Sequence, residues 1–251
     1  MENSNNIEIK KLAFKLVLLF VFFVLLIITA VRWNFQQPVK SIKIEGTVVI
    51  PEEEISDLIK EQVIDTPKSN IKLSKLKEDL HSVPLMDEAY SSYRTTDEIV
   101  IAISEKQIEA LLIAEEGKKY FVDSDGKLLN YKLYKKLPDV PILRGIIKGE
   151  QTDVLLLNNA LQLINEVKQQ EDSTLINEVS EIFFDKKKQA FVIILNENAS
   201  EAIIGNKDLF ESAVKKLSRF FKEKKNNKFL EQAKYIDLRF LNKIYFSFNR
   251  N

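Results

Sequence analysis

Apolar residues run almost unbroken from Leu12 to Val31 (LAFKLVLLFVFFVLLIITAV), with Lys15 the one charge among them. Wound as a helix, this stretch spans about 30 Å, the hydrocarbon thickness of a bilayer. Lys15 lies near one end, where its stem can reach the headgroups. Arg32 and Trp33 stand at the other boundary, where an aromatic anchor belongs. A cleaved signal peptide would have a shorter apolar core, and IITAVRW offers no convincing small-x-small cleavage site, so an uncleaved anchor is the better reading. Charge does not orient it, because Lys10 and Lys11 precede the span with Lys15 near its start, and Arg32, Lys40 and Lys43 follow it. A short tail before a single anchor normally stays in the cytoplasm while the long remainder is translocated. Residues 1–11 are therefore expected inside, 12–31 in the membrane, and 34–251 outside the cytoplasm.

Beyond the span the pattern changes to short elements. VKSIKIEG reads as a strand built on Val39, Ile42 and Ile44 and stopped by Gly46. A helix follows, with Pro51 at its first position and Glu52, Glu53 and Glu54 complementing the positive end of its dipole. Ile55, Leu58, Ile59 and Val63 form its apolar stripe. SNIKLSKLKEDLHSVP reads as a second helix, with Ser74 as N-cap, Leu76, Leu80 and Val83 inward, and Pro84 as terminator. DEAYSSYR and EIVIAISE are strands separated by the TTD turn. Residues 38–105 thus form a β-α-α-β-β unit, two helices covering one face of a three-stranded sheet.

From residue 106 to 251 the rhythm is of a mixed, β-rich domain with flanking helices. KKYFVDSDGKLLNY is a hairpin whose Gly126 is free to take positive φ. QTDVLLLNNALQLINEVKQ is an amphipathic helix with Val154, Leu157, Leu161, Ile164 and Val167 as inward candidates. NEVSEIFFD and QAFVIIL pair across the KKK turn, and a helix over NKDLFESAVKKLSRFFKEKK places Leu209, Phe210, Ala213, Leu217, Phe220 and Phe221 on one side. The closing YIDLRFLNKIYFSFNRN alternates with period two. Ile236, Leu238, Phe240, Ile244, Phe246 and Phe248 share one face, broken only by Asn242, which predicts one long amphipathic strand. A last strand is an edge, and an open edge invites pairing.

Chemistry adds little to this picture. The 37 basic and 37 acidic residues cancel, which argues against a nucleic-acid binder. Cysteine is absent, excluding disulfides and thiolate sites, and His81 is the single histidine. Asp123 and Asp125 in VDSDGK lack the further ligands of a calcium loop and suit a hairpin turn. The cations Lys215, Lys216, Arg219, Lys222, Lys224 and Lys225 read as a solvated face, with contact to anionic lipid or protein as the minority reading. No nucleophile elbow, phosphate-binding glycine loop or zinc-protease motif occurs, so an enzyme has no positive support. Asp237 and Arg239 either share a salt bridge or pair across to a neighbouring strand, and Arg239 is the sharper candidate for a partner contact.

In order behind one span, these stretches resemble the FtsQ/DivIB family of bitopic cell-division proteins. VKSIKIEG is similar to the first strand of that family's POTRA domain, and SNIKLSKLKEDLHSVPLMDEAYSSYR to the stretch that follows. SEKQIEA resembles the junction to the β domain, YFVDSDGKLL its D-x-x-G hairpin, VPILRG its L-P-x-L-x-G segment, and YIDLRF its φ-D-L-R-φ signature (φ, apolar). Leu85 replaces a tryptophan, Ile108 the junction proline, and TTDE the W-P pair after the POTRA arginine. The resemblance implies an α+β chain: a transmembrane helix, a POTRA domain over 38–105 and a β domain over 106–251. It implies a non-enzymatic scaffold of the septum in the inner (plasma) membrane, without cofactor or metal, binding the bitopic proteins FtsB and FtsL. Carried over by position, that contact falls on Arg239, Phe240, Leu241 and Asn242, with Ile244 at its margin. POTRA domains also occur in envelope-assembly and protein-transport components. That reading would require tandem POTRA units or a membrane barrel.

Overall fold

The computed structural model describes residues 2–148, 151–170, 175–196, 199–224, 233–240 and 243–248, and it divides after Glu105 into two units. In the first, α1 (Glu2–Gln36) is one continuous helix. Its segment Leu12–Gln36 reaches a mean hydropathy of 3.0 with none of it buried against protein, so it is long and apolar enough to cross a membrane.

β1 (Ser41–Glu45), α2 (Glu52–Val63), α3 (Leu73–His81), β2 (Met86–Tyr93) and β3 (Glu98–Glu105) follow, the β-α-α-β-β order that the periodicity predicts. β3 is central, paired in parallel with β1 and antiparallel with β2. Ile55, Ile59 and Val63 of α2, Leu76 and Leu80 of α3, and Ile99 and Ile101 of β3 are buried. Two helix starts differ from expectation. Pro51 occupies the cap position and α2 begins at Glu52. α3 begins at Leu73 without a side-chain cap, so Ser74 lies inside its first turn. Leu58, expected in the stripe, is exposed.

The loop from β1 to α2 is held by a carboxylate. Glu105 accepts the backbone N–H groups of Val48 (2.8 Å), Val49 (2.9 Å) and Ile50 (2.9 Å), satisfying donors that a loop would otherwise leave to water. Gly46 turns the chain at φ 92°, and a Cβ there would lie 2.2 Å from the carbonyl oxygen of Ile103. Only glycine fits.

The second unit contains β4 (Ile108–Ile113), β5 (Lys119–Asp123), β6 (Leu128–Asn130), β7 (Ile142–Arg144), β8 (Ile147–Lys148), β9 (Gln151–Thr152), α4 (Val154–Lys168), β10 (Val179–Asp185), β11 (Ala190–Leu195), β12 (Glu201–Gly205), α5 (Phe210–Lys224), β13 (Ala233–Asp237) and β14 (Tyr245–Phe248). β8 and β9 pair with each other, and the other strands form one sheet in the order β14-β13-β12-β11-β10-β7-β4-β5-β6. It is mixed: β4–β7, β7–β10 and β12–β13 are parallel and the remaining pairs antiparallel. Leu157, Ile164 and Val167 of α4 join Phe210, Ala213 and Leu217 of α5 in one core with Leu112, Ile182, Ile193 and Ile236 of the sheet. A smaller cluster, Ala190, Val192 and Ile203 with Tyr235 against it, lies apart from that core.

Asp153 caps α4 by accepting the Leu156 N–H at 3.0 Å. Val154 is therefore the first helical residue and is 64 % exposed, not inward as its spacing predicts. Asp123 is buried and accepts the N–H groups of Asp125 (3.1 Å) and Lys127 (2.8 Å). With Gly126 at φ 78°, it builds the turn between β5 and β6.

Candidate partner-binding edge

The period-two run from Tyr235 does not form one strand. β13 ends at Asp237, and β14 returns antiparallel beside it, with Ile236 opposite Phe246 and Asp237 opposite Tyr245. The face predicted to be half-buried is not one face: Ile236 and Leu238 are buried, whereas Phe240, Phe246 and Phe248 are exposed, so the apolar period runs on through a break that periodicity alone cannot see. The Asp237 carboxylate accepts from the Arg239 backbone N–H (3.2 Å), Nε (2.9 Å) and Nη2 (2.6 Å). Of the two alternatives for this pair, the local salt bridge is the one formed.

Asp237 is only 7 % exposed. Burial pushes its carboxyl up, but the hydrogen bonds and charge of Arg239 outweigh this and hold it below its ordinary value. The stem of Arg239 lies over Gly205 in β12, which takes φ 108°; a Cβ there would stand 3.3 Å from Arg239 Cγ and 2.8 Å from Leu209 Cδ1.

A second cation fixes the turn from the helix side. Lys216 of α5 donates to the carbonyl oxygen of Leu238 and, at 2.8 Å, to that of Phe240. Burial lowers its ammonium below the ordinary value, opposed by the attraction of Asp237. Composition had placed Lys216 in a solvated run. Its signal was its place three residues after buried Ala213 and beside buried Leu217, on the border of the apolar stripe.

β14 is the outer strand of the sheet among the described residues, with β13 on one side. Its aromatic side chains are partly exposed: Phe246 is 45 % and Phe248 43 % exposed, and their rings meet edge to face at 5.4 Å. Phe240 and Tyr245, also exposed, make a similar contact at 4.8 Å. Of the residues implicated by position, Arg239 is ion-paired within the chain, Phe240 is exposed beside β14, and Ile244 packs against the main core. Leu241 and Asn242 lie outside the described residues. Gly205, Lys216, Tyr245, Phe246 and Phe248 complete the constellation.

A cleft of about 530 Å³ between α4 and α5 is lined by Glu166, Gln169, Glu211, Lys215 and Arg219 among others. It juxtaposes charges of both signs, as two facing solvated helix surfaces do. Among the described residues, no three His, Asp or Glu side chains converge as a metal site would require.

A family model described as FtsQ/DivIB, C-terminal related, matches residues 110–245, and one for the FtsQ-type POTRA domain matches residues 37–106. No curated protein matches the chain. The POTRA match covers the β-α-α-β-β unit, and the longer match covers most of the nine-stranded sheet and both its helices. Together with the apolar helix α1, they make this a single-pass membrane protein of the division site. The chain belongs to the FtsQ/DivIB family, a family of non-catalytic cell-division scaffolds.

Proposed function

We propose that the chain is a non-enzymatic divisome scaffold that captures FtsB/FtsL-like bitopic proteins at the β14 edge and so links early to late division proteins. The tail 1–11 lies in the cytoplasm, residues 12–31 span the membrane, and the POTRA domain (38–105) and β domain (106–251) stand outside. The observation that supports this is the set of partly exposed aromatic side chains on β14, the outer strand of the sheet among the described residues. Strand addition along β14 would draw its affinity from main-chain hydrogen bonds and its specificity from alternate side chains. The exposed rings of Phe240, Tyr245, Phe246 and Phe248 supply the aromatic anchors that dominate such interfaces.

The test is capture of the FtsB/FtsL counterparts by detergent-solubilised full chain and by a variant lacking residues 240–251, with a fluorescent fusion of each imaged in dividing cells. Loss of capture with retained septal fluorescence is expected. Undiminished capture by the truncated chain would refute the site, and uniform membrane fluorescence of the intact chain would refute the divisome role.

A further inference from the structure

Lys68 is a buried lysine, 6 % exposed, in the helical turn Lys68–Asn70 of the first unit. Its ammonium donates to Asn34 Oδ1 of α1 at 2.6 Å and to the Thr95 carbonyl at 3.2 Å, and it sits 5.1 Å from the centre of the Tyr93 ring. All three are neutral groups. Burying an ammonium is costly unless its donors are satisfied, and here one of the acceptors belongs to the membrane helix.

The chain leaving α1 is not a free linker. Gln37 accepts the Lys68 backbone N–H (3.2 Å), Val39 donates to Thr66 (3.1 Å) and accepts from Asp65 (2.8 Å), and Lys40 donates to Asp97 (2.7 Å). The end of α1, the segment after α2 and the β2–β3 turn are thereby laced together. Asn34 follows Val31, the last residue of the apolar run, by a rise of about 4.5 Å. That depth falls within the headgroup layer flanking the hydrocarbon core.

We infer that Lys68 locks the exit of the membrane helix to the POTRA domain, seating the Lys68–Asn70 turn among the lipid headgroups and fixing the domain's tilt to the bilayer. The inference rests on the membrane span and is independent of the β14 edge. The partner is the headgroup layer, recognised by depth and by the polar rim of the turn, where Ser69 and Asn70 are exposed.

The chain has no cysteine, so single labels can be placed in the full-length protein reconstituted in liposomes carrying a headgroup nitroxide lipid. A fluorophore on Ser69→Cys is expected to be quenched several-fold more than one on Val48→Cys, which lies beyond the far end of β1. Equal quenching at the two positions overturns the seating. For the lock, spin labels on Phe35→Cys and Ser92→Cys are expected to give a narrow distance distribution. It should broaden in Asn34→Ala, a change in the helix that leaves the POTRA core intact. A distribution as narrow in Asn34→Ala as in the parent overturns the lock.

Discussion

Arg239 folds back on Asp237, two residues earlier, and closes a fork in which Nε meets Oδ1 at 2.9 Å and Nη2 meets Oδ2 at 2.6 Å. The carboxylate is nearly buried while the guanidinium lies nearer the surface. Removing the arginine would strand a buried carboxylate with one neutral donor. Arg239→Ala is expected to cost about 1–3 kcal/mol, read as a lower midpoint in thermal unfolding and faster amide exchange in β14. Unchanged exchange would mean that the clasp does not hold the hairpin.

The same pair sets a response to acid. The Asp237 carboxyl is held below its ordinary value, so its contribution is complete above the unfolded carboxylate range, about pH 4, and is lost as pH falls through the depressed value. In Arg239→Ala burial remains without that counterweight and pushes the carboxyl up, so the response changes sign: the hairpin is weakest near neutral pH and recovers as acid neutralises Asp237. Protection of β14 amides measured from pH 7 downward in both proteins would show the opposite trends.

Lys216 ties α5 to the carbonyls of Leu238 and Phe240. Hydrogen bonds from a charged donor contribute about 1.5–3 kcal/mol each, offset here by partial exposure. Lys216→Met keeps the apolar stem and removes both bonds. It should lower affinity for the FtsB/FtsL counterpart by about tenfold, which corresponds to 1.4 kcal/mol, with little change in the α5 core. Calorimetric titration would measure it.

Phe246 and Phe248 carry the clearest test of the edge. Truncating a dominant interface aromatic costs about 2 kcal/mol, roughly thirtyfold in Kd. Phe246→Ala and Phe248→Ala are each expected to weaken capture by more than they lower the unfolding midpoint, since nearly half of each side chain is exposed in the free protein. Phe246→Pro, which disrupts β14 itself, should abolish it.

Gly46 makes a prediction for the POTRA domain. Its Cβ would strike the backbone carbonyl of Ile103, and neither φ nor the strand can yield cheaply. Gly46→Ala should destabilise that unit by about 2–4 kcal/mol, seen as a selective loss of β1 and β3 amide protection.

Much of the POTRA fold was legible because its elements are short and each keeps one period: Ile55, Ile59 and Val63 at helical spacing, Ile99 and Ile101 at strand spacing. The helix starts were not. Ser74 looks like a cap, but α3 had already begun at Leu73. At the candidate site, a closing edge could be read from alternation, whereas the break after Asp237 could not, because the apolar period continues through residues of different burial: Ile236 and Leu238 are buried, Phe246 and Phe248 exposed. Lys216 was hidden for a different reason. Its role depends on the carbonyls of Leu238 and Phe240, and composition assigns every lysine in a basic run to solvent.

Gly205 widens what counts as part of the edge. A Cβ at Gly205 would strike Leu209 Cδ1 at 2.8 Å and crowd Arg239 Cγ at 3.3 Å, at a φ of 108° that favours glycine, so a larger residue there would strain β12 and press on the stem of the arginine that holds Asp237. A lesson for genetics follows from that missing side chain. An allele one strand inside the hairpin, at a position no partner would touch, would show the phenotype of a lost binding site, and a search for contact residues would overlook its cause.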